Sequence, residues 1–308
     1  MRTLLSSVAV AALLLAGCVA PEGNDMANSA GTNAVARDPN DADPALWLVK
    51  DADTNVYLFG TVHVLKPGQT WFDEGVKAAY DKANEVVIEV ITPDAATAQA
   101  RSLQYARAAD GRPLRDKLSP ATRAKYEAAM TAQGLPPAAF DAFDPWFAGL
   151  TLGLLPLMKA GYDPTAGAEA VITSAAKADG KPVGELETFD QQMGFFENLS
   201  EAEQIRYLES TLDELGNGTA QMDEMARLWA AGDPERLGNL MNEAMRATPE
   251  LSKVLLADRN ARWAEWIDSR LDKPGTVFMA VGAGHLAGPD SVQNMLARRN
   301  LKATRVSY

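Results

Sequence analysis

The chain has 308 residues, with 41 acidic and 29 basic side chains, a formal net charge of -12, two histidines and one cysteine. So acidic a chain repels phosphate backbones, and no cluster of lysine and arginine offsets the charge, so we expect no nucleic-acid partner. A single cysteine also excludes a disulfide within the chain.

The first eighteen residues predict a bacterial lipoprotein signal peptide. Arg2 precedes an apolar stretch over residues 4–16, which is too short to cross a bilayer. The stretch ends in "LAGC", which resembles the lipoprotein box, so we expect Cys18 to be lipidated; the alternative is an ordinary secretion signal with an incidental cysteine. A lipidated Cys18 anchors the protein in the cell envelope, facing the periplasm or on the outer membrane, and Val19 favours the outer membrane.

Residues 19–42 are small, polar and turn-forming, with almost no large apolar side chain to bury. This composition predicts a flexible tether between a lipid anchor and a folded body. No second linker of this kind follows, so residues 43–308 are expected to form one domain.

Six short runs have strand character, most of them rich in β-branched and aromatic residues. They lie at residues 46–49, 56–62, 85–90, 181–186, 276–283 and 304–308. The first two runs flank a turn-rich connector and are expected to pair as a hairpin. The third and fifth runs are nearly continuous apolar stretches, as expected of strands that helices cover on both faces.

Capping residues predict helices between these strands. Such start signals occur at Thr70 with Asp73, at Ser200 with Glu203, at Asp144-Pro145 and at Asp233-Pro234. A further helix is expected to start at Thr248-Pro249 and to run to about Leu271. Residues 95–180 and 189–271 are therefore expected to be mostly helical. The sequence predicts an α/β fold with a central mixed, mostly parallel sheet, an N-terminal hairpin and a large helical insertion.

The two histidines occupy equivalent positions. His63 and His285 each lie three residues after a glycine, Gly60 and Gly282, and each follows a predicted strand. Ligands of open α/β sheets bind at the carboxyl edge of the strands, and a glycine leaves room there. Two converging imidazoles predict a shared divalent metal ion, with coordination positions left free. The alternative is that each histidine is an ordinary core or surface residue.

Two carboxylates are candidates to complete such a shell. Glu89 closes the third strand, where an unpaired buried charge would be costly, and Glu187 follows the fourth. Either one is expected to coordinate the ion or to act as general base on a metal-bound water. The alternative for each glutamate, when it is considered without the histidines, is an ordinary solvated residue at the end of a strand.

Arg259 is the third candidate catalytic residue. On a helix it shares an apolar face with Leu255 and Trp263, which lie four residues before and four after it. A guanidinium cannot lose its proton, so a buried one must have an anionic partner. That partner is either a structural carboxylate or a substrate oxyanion.

Several segments together resemble the TraB/GumN family, whose relatives include the Tiki metalloproteases. They are "LFGTVHVL", "EVVIEV", "GELETFDQQM", "LLADRNARW" and "FMAVGAGHLAGP", within about residues 45–305. The resemblance implies an α/β fold and a divalent-metal-dependent peptidase site built on His63 and His285. Position by position, the resemblance also points to Glu89 and Arg259 as site residues. Glu187 matches the family pattern, but the resemblance assigns it no role.

The leading hypothesis is an envelope-anchored, divalent-metal-dependent hydrolase, a peptidase or amidase. An ion such as Mn, Co or Zn would be held by His63, His285 and Glu89, and its substrate would be a peptide or another small molecule. Contact with the membrane would be through the lipid anchor only. Folds related to this family include esterase-like hydrolases and a haem-binding lipoprotein, and GumN-type members are associated with exopolysaccharide gene clusters. The alternatives are therefore a non-catalytic lipoprotein that binds haem or polysaccharide, and a scaffold with neither metal nor turnover.

Overall fold

A computed structural model describes residues 40–246 and 249–308. The predicted signal peptide with Cys18, and most of the predicted tether, lie outside these described residues. Within them, no helix combines the length and the apolar character that a membrane crossing needs. Residues 40–42, the last part of the predicted tether, pack on the body: the Ala42 amide donates to the Thr70 carbonyl at 3.0 Å, and Ala42 is buried.

A six-stranded mixed sheet forms the centre of the molecule, with strand order β4-β3-β5-β2-β1-β6. The strands are β1 Leu46–Lys50, β2 Thr54–Thr61, β3 Glu85–Ile88, β4 Val183–Glu185, β5 Gly275–Gly282 and β6 Ala303–Arg305. β1 pairs antiparallel with β2 and with β6, whereas β2, β5, β3 and β4 run parallel. The predicted hairpin and the mostly parallel mixed sheet are confirmed.

Most helices lie between β3 and β4 and between β4 and β5, which confirms the predicted helical insertion. In chain order the helices are α1 Glu74–Lys82, α2 Ala95–Ala106, α3 Leu114–Lys117, α4 Pro120–Ala132, α5 Pro145–Lys159, α6 Ala168–Ala178, α7 Phe189–Glu197, α8 Glu201–Glu214, α9 Gly218–Ala230, α10 Pro234–Arg246, α11 Pro249–Ser252, α12 Asp258–Leu271 and α13 Val292–Arg298. A π-helical turn, Lys253–Ala257, joins α11 to α12. The expected start signal at Thr248 lies outside the described residues.

The predicted helix caps have different outcomes. The capping box of Ser200 and Glu203 is present at the start of α8, and the Asp233 carboxylate caps α10. The box predicted at Thr70 is wrong, because α1 begins only at Glu74 and Asp73 makes no side-chain cap. Thr70 pairs instead with the incoming chain near residue 41.

Asp144 precedes α5 as predicted, but its carboxylate does not cap the helix. It lies 3.4 Å from the ammonium group of Lys117, whose side chain is almost fully buried. An ammonium group buried without anions would be costly, so this ion pair takes precedence over the cap.

Side chains along the central strands alternate between two apolar layers. Phe59 and Phe278 face one layer, while Leu58 and Met279 face the other. Trp263 of α12 packs into the second layer. Helices therefore cover both faces of the sheet, as the continuous apolar runs predicted.

Candidate functional site

The structure brings the two histidines together. β2 and β5 are neighbouring parallel strands with Thr61 opposite Gly282, and each histidine lies just beyond the carboxyl end of its strand. A Cβ atom on Gly282 would lie 3.7 Å from His63 Nε2, 3.6 Å from His285 Cδ2 and 3.1 Å from Glu89 Oε1. Both imidazoles and the Glu89 carboxylate therefore border the small space that the absent side chain of Gly282 leaves open.

His63 is held by a carboxylate that the sequence did not identify. Its Nδ1 lies 2.9 Å from Glu169 Oε1, in the first turn of α6, and Glu169 also accepts from the Thr61 hydroxyl. Burial lowers the pKa of His63, but the Glu169 carboxylate outweighs it and the net pKa is raised. Nδ1 carries the donated proton, since Glu169 accepts. His63 Nε2 therefore remains available and borders the space over Gly282.

Gly167 lets α6 approach His63 closely. A Cβ atom there would lie 2.1 Å from the His63 carbonyl oxygen, although the backbone conformation itself suits any residue. The amide of Ala168 donates to the Val62 carbonyl at 3.0 Å. This close packing sets Glu169 against the imidazole. No motif in the sequence marks it, because the contact depends on which helix lies over the strand end.

Gly167→Ala is expected to lower the free energy of unfolding by about 1–3 kcal/mol, because the added methyl group must push the His63 backbone away. Urea denaturation measures this change. Gly216→Ala is the matched control, since a Cβ atom on Gly216 meets no atom within 4 Å. Equal stability of the two variants would contradict the close approach.

Arg259 lies at the centre of the site and is only 2% exposed. Its Nη2 lies 2.6 Å from Glu89 Oε2 and 2.8 Å from Glu187 Oε2, and its Nε donates to Glu187 at 2.9 Å. Nη1 donates to the Leu255 carbonyl at 3.2 Å and to His285 Nε2 at 3.0 Å. All five N–H groups of a guanidinium are thus taken. This is the arrangement expected when Arg259 pairs with structural carboxylates.

His285 is neutral and acts as a hydrogen-bond acceptor for Arg259. Its Nδ1 lies 2.6 Å from Asn260 Oδ1, while Asn260 Nδ2 donates to the Asp290 carbonyl at 2.6 Å, which fixes the orientation of the amide. Nδ1 therefore donates, and Nε2 accepts from Arg259. Burial and the charge of Arg259 lower the pKa of His285 to about 3, whereas the pKa of His63 is raised.

Neither Glu89 nor Glu187 is a solvated strand-end residue, because each is only 4% exposed. Glu89 Oε1 accepts from the Gly282 amide at 2.6 Å. Burial raises the pKa of Glu89, but Arg259 and the two histidines outweigh it and bring the pKa to about 2. The Glu187 amide donates to the Glu89 carbonyl at 2.9 Å, so the backbone also holds the two acids together.

The guanidinium of Arg259 lies among the expected metal ligands. Across residues 40–246 and 249–308, no group of three or more histidine, cysteine or acidic side chains is arranged to hold a metal ion. His285 Nε2 and Glu89 Oε2 both accept from Arg259, so the guanidinium occupies the position of a shared cation. An ion bound by His63, His285 and Glu89 would first have to displace that guanidinium.

Comparison with known proteins identifies the family. The chain is 22% identical over 255 residues to the "Uncharacterized protein YbaP" of Escherichia coli (strain K12). The aligned region covers 82% of this chain and 92% of that protein. It is 22% identical over 272 residues to an "Uncharacterized protein" of Treponema pallidum (strain Nichols), with 83% of this chain and 80% of that protein covered. No solved structure matches. The TraB/PrgY/gumN family matches residues 45–305, so the chain belongs to that family.

Proposed function

We propose that this chain is a hydrolase of the bacterial cell envelope that cleaves an amide or peptide bond, with His63 as general base. The observation that supports this most directly is the pair formed by His63 Nδ1 and Glu169 Oε1, 2.9 Å apart. A carboxylate in that position orients the ring and stabilises the imidazolium that forms. His63 Nε2 is left to accept a proton at the carboxyl edge of the sheet, where α/β proteins bind ligands.

In the proposed reaction a water molecule beside His63 Nε2 attacks the scissile carbonyl carbon. Its proton passes to Nε2 and then to the leaving nitrogen, so that the base is regenerated. Glu169 stabilises the transient positive charge. Arg259 acts as a positioning residue, since its five donors hold the surrounding acids and His285 in place.

A divalent ion, the Mn, Co or Zn expected from the sequence, is the second candidate. The charges of the site favour it: three carboxylates, Glu89, Glu169 and Glu187, face two guanidinium groups, Arg259 and the half-exposed Arg262. One negative charge is left over while Arg259 stays in place, and a proton on His63 balances it. A divalent ion that displaces Arg259 would instead balance the two negative charges that are then left. The two candidates therefore differ in what neutralises the negative charge of the site.

The location in the envelope rests on the lipoprotein box that ends at Cys18. A lipidated Cys18 would place the domain on a membrane surface, with the lipid chains as its only contact with the bilayer. The sequence also left open a non-catalytic lipoprotein that binds haem or polysaccharide, and this alternative predicts ligand binding without turnover.

The chain purified without a histidine tag is expected to cleave members of a mixed peptide library, and His63→Ala is expected to lower the rate by about 10²–10⁴-fold. The assay is run with and without a chelator, alongside elemental analysis of the same samples. Activity that survives the chelator supports His63 acting alone. About one ion per chain in the wild type, lost in both His63→Ala and His285→Ala, would establish the second candidate instead.

Glu169→Gln is the matched variant in that assay, because it keeps the size and most hydrogen bonds of the side chain but removes the charge. We expect a loss of rate smaller than that of His63→Ala, since the imidazolium is no longer stabilised. Turnover unaffected by either substitution would refute the general-base assignment. No turnover together with an absorbance change on adding haem would establish the ligand-binding alternative.

A further inference from the structure

A groove of about 380 Å³ lies near the His63 backbone, on the segments that flank the contact between His63 and Gly167. One wall is the continuous segment 65–73, which begins two residues after His63, and the other includes Ala166 and Val171. Ala166 precedes Gly167, on which a Cβ atom would lie 2.1 Å from the His63 carbonyl oxygen, so both walls adjoin the His63 backbone. Because consecutive Cα atoms are 3.8 Å apart, the groove begins within about 8 Å of the His63 backbone.

The groove walls are held by backbone pairing. Leu65 exchanges hydrogen bonds with Asp163 at 2.9 and 3.4 Å, and the Thr70 carbonyl accepts from the Ala42 amide at 3.0 Å. Trp71 is buried among the core aromatics. A groove with walls fixed in this way is formed before a ligand arrives, as is usual for small-molecule sites.

The lining of the groove is mainly apolar. Its apolar members are Leu65, Pro67, Trp71, Phe72, Ala166 and Val171. The charge of Lys66 is already paired with Asp223 at 2.6 Å, which leaves Asp73 as the remaining charged side chain of the lining. This surface suits an aliphatic or aromatic side chain and disfavours an anionic or sugar-like ligand. The volume is within the range of about 300–1,000 Å³ typical of ligand pockets.

One polar atom of the lining lacks a partner. Gln69 lines the groove, and its Oε1 is buried without a hydrogen bond. An acceptor left unpaired costs free energy, and an N–H donor that reaches it removes that cost. A peptide backbone supplies such a donor next to every side chain, whereas an ester at the same position supplies none.

We propose that this groove, lined by residues 65–73, Ala166 and Val171, is the substrate subsite. It would take a peptide in extended conformation, with an apolar side chain two or three residues from the scissile bond and a backbone N–H donated to Gln69. The proposal rests on the proposed hydrolase function and names its substrate class. Extended chain advances about 3.3 Å per residue, so two or three residues span the distance from the groove to His63.

The subsite is tested by titrating N-acetyl-leucyl-leucine amide into the full chain carrying His63→Ala, which should bind without turnover, in a calorimeter. Adding Val171→Trp fills the groove and is expected to weaken binding at least about tenfold. Ala170→Trp is the matched control, because Ala170 is the exposed neighbour on α6 and does not line the groove. Equal affinity of the two tryptophan variants would overturn the subsite.

Gln69→Met, which keeps the length of the side chain without its acceptor, tests the hydrogen bond. We expect about three- to tenfold weaker binding of the peptide and no change for the analogue in which an ester oxygen replaces the N–H. The same loss for both ligands would refute the role of Gln69. Peptide binding that depends on Val171, in a wild-type chain that shows no turnover, would support the groove and refute the hydrolase function. Turnover with a KM that Val171→Trp leaves unchanged would support the hydrolase function and refute the groove.

Discussion

Replacing Arg259 with methionine is expected to lower the free energy of unfolding by about 3–5 kcal/mol. The guanidinium is the charge partner of Glu89 and Glu187 at 2.6 and 2.8 Å, and all three side chains are almost fully buried. Removing it leaves two carboxylates within the protein without their counter-ion. Urea denaturation at pH 7, where Glu89 is ionised, measures the loss.

Arg262 provides the matched control for this experiment. It also contacts Glu187, at 3.4 Å, but its side chain is 51% exposed. Arg262→Met is therefore expected to cost less than about 1 kcal/mol. Adding Glu89→Gln and Glu187→Gln to Arg259→Met should recover most of the stability, because no uncompensated charge remains. If Arg259→Met and Arg262→Met were equally stable, the buried ion cluster would not exist as described.

The convergence of the two histidines could be predicted from the sequence because it depends on local pattern and topology. Each histidine follows a glycine-containing strand, and parallel neighbours in a sheet present their carboxyl ends at the same edge. The apolar runs at 85–90 and 276–283 also indicated buried strands, and these pair as β3 and β5. Strand pairing thus fixed the positions of His63, His285 and Glu89.

The partners of these residues could not be predicted in the same way. Glu169 reaches His63 only because α6 packs against the strand end with Gly167 at the contact, and such packing leaves no spacing pattern in the sequence. The helical pattern indicated that Arg259 is buried. Whether its partner is a structural carboxylate or a substrate oxyanion depends on how many of its N–H groups already have partners within the protein. The structure provides that count: Leu255, Glu89, Glu187 and His285 take every N–H. The π-helical turn before α12 contains Leu255.

The two histidines are expected to titrate more than about 3 pH units apart, His63 above the usual 6.5 and His285 near 3. The difference arises because Glu169 pairs with one ring, whereas burial and Arg259 act against protonation of the other. The chain contains only these two histidines, so ¹H–¹³C NMR of the imidazole Cε1–H groups shows two signals. His63→Gln and His285→Gln assign them.

The same shifts act on stability with opposite signs. The raised pKa of His63 contributes stability that is complete below pH 6.5 and is lost as the pH rises through the folded-state value. The lowered pKa of His285 contributes stability that is present above pH 6.5 and is lost as the pH falls towards 3. Between pH 6.5 and 4, His285→Gln should therefore remove part of the acid destabilisation that the wild type shows, whereas His63→Gln should leave that part in place.

The titration of the two histidines also distinguishes a proton on His63 from a bound divalent ion as the group that balances the negative charge of the site. If a proton balances it, the His63 signal moves through a full titration above pH 6.5, and Glu169→Gln shifts its midpoint to lower pH. If a divalent ion bound to both rings balances it, neither signal titrates until the ion leaves, because metal ligation requires neutral imidazole. Two signals that titrate together near pH 6.5 would contradict both the His63–Glu169 pair and the contact between His285 and Arg259.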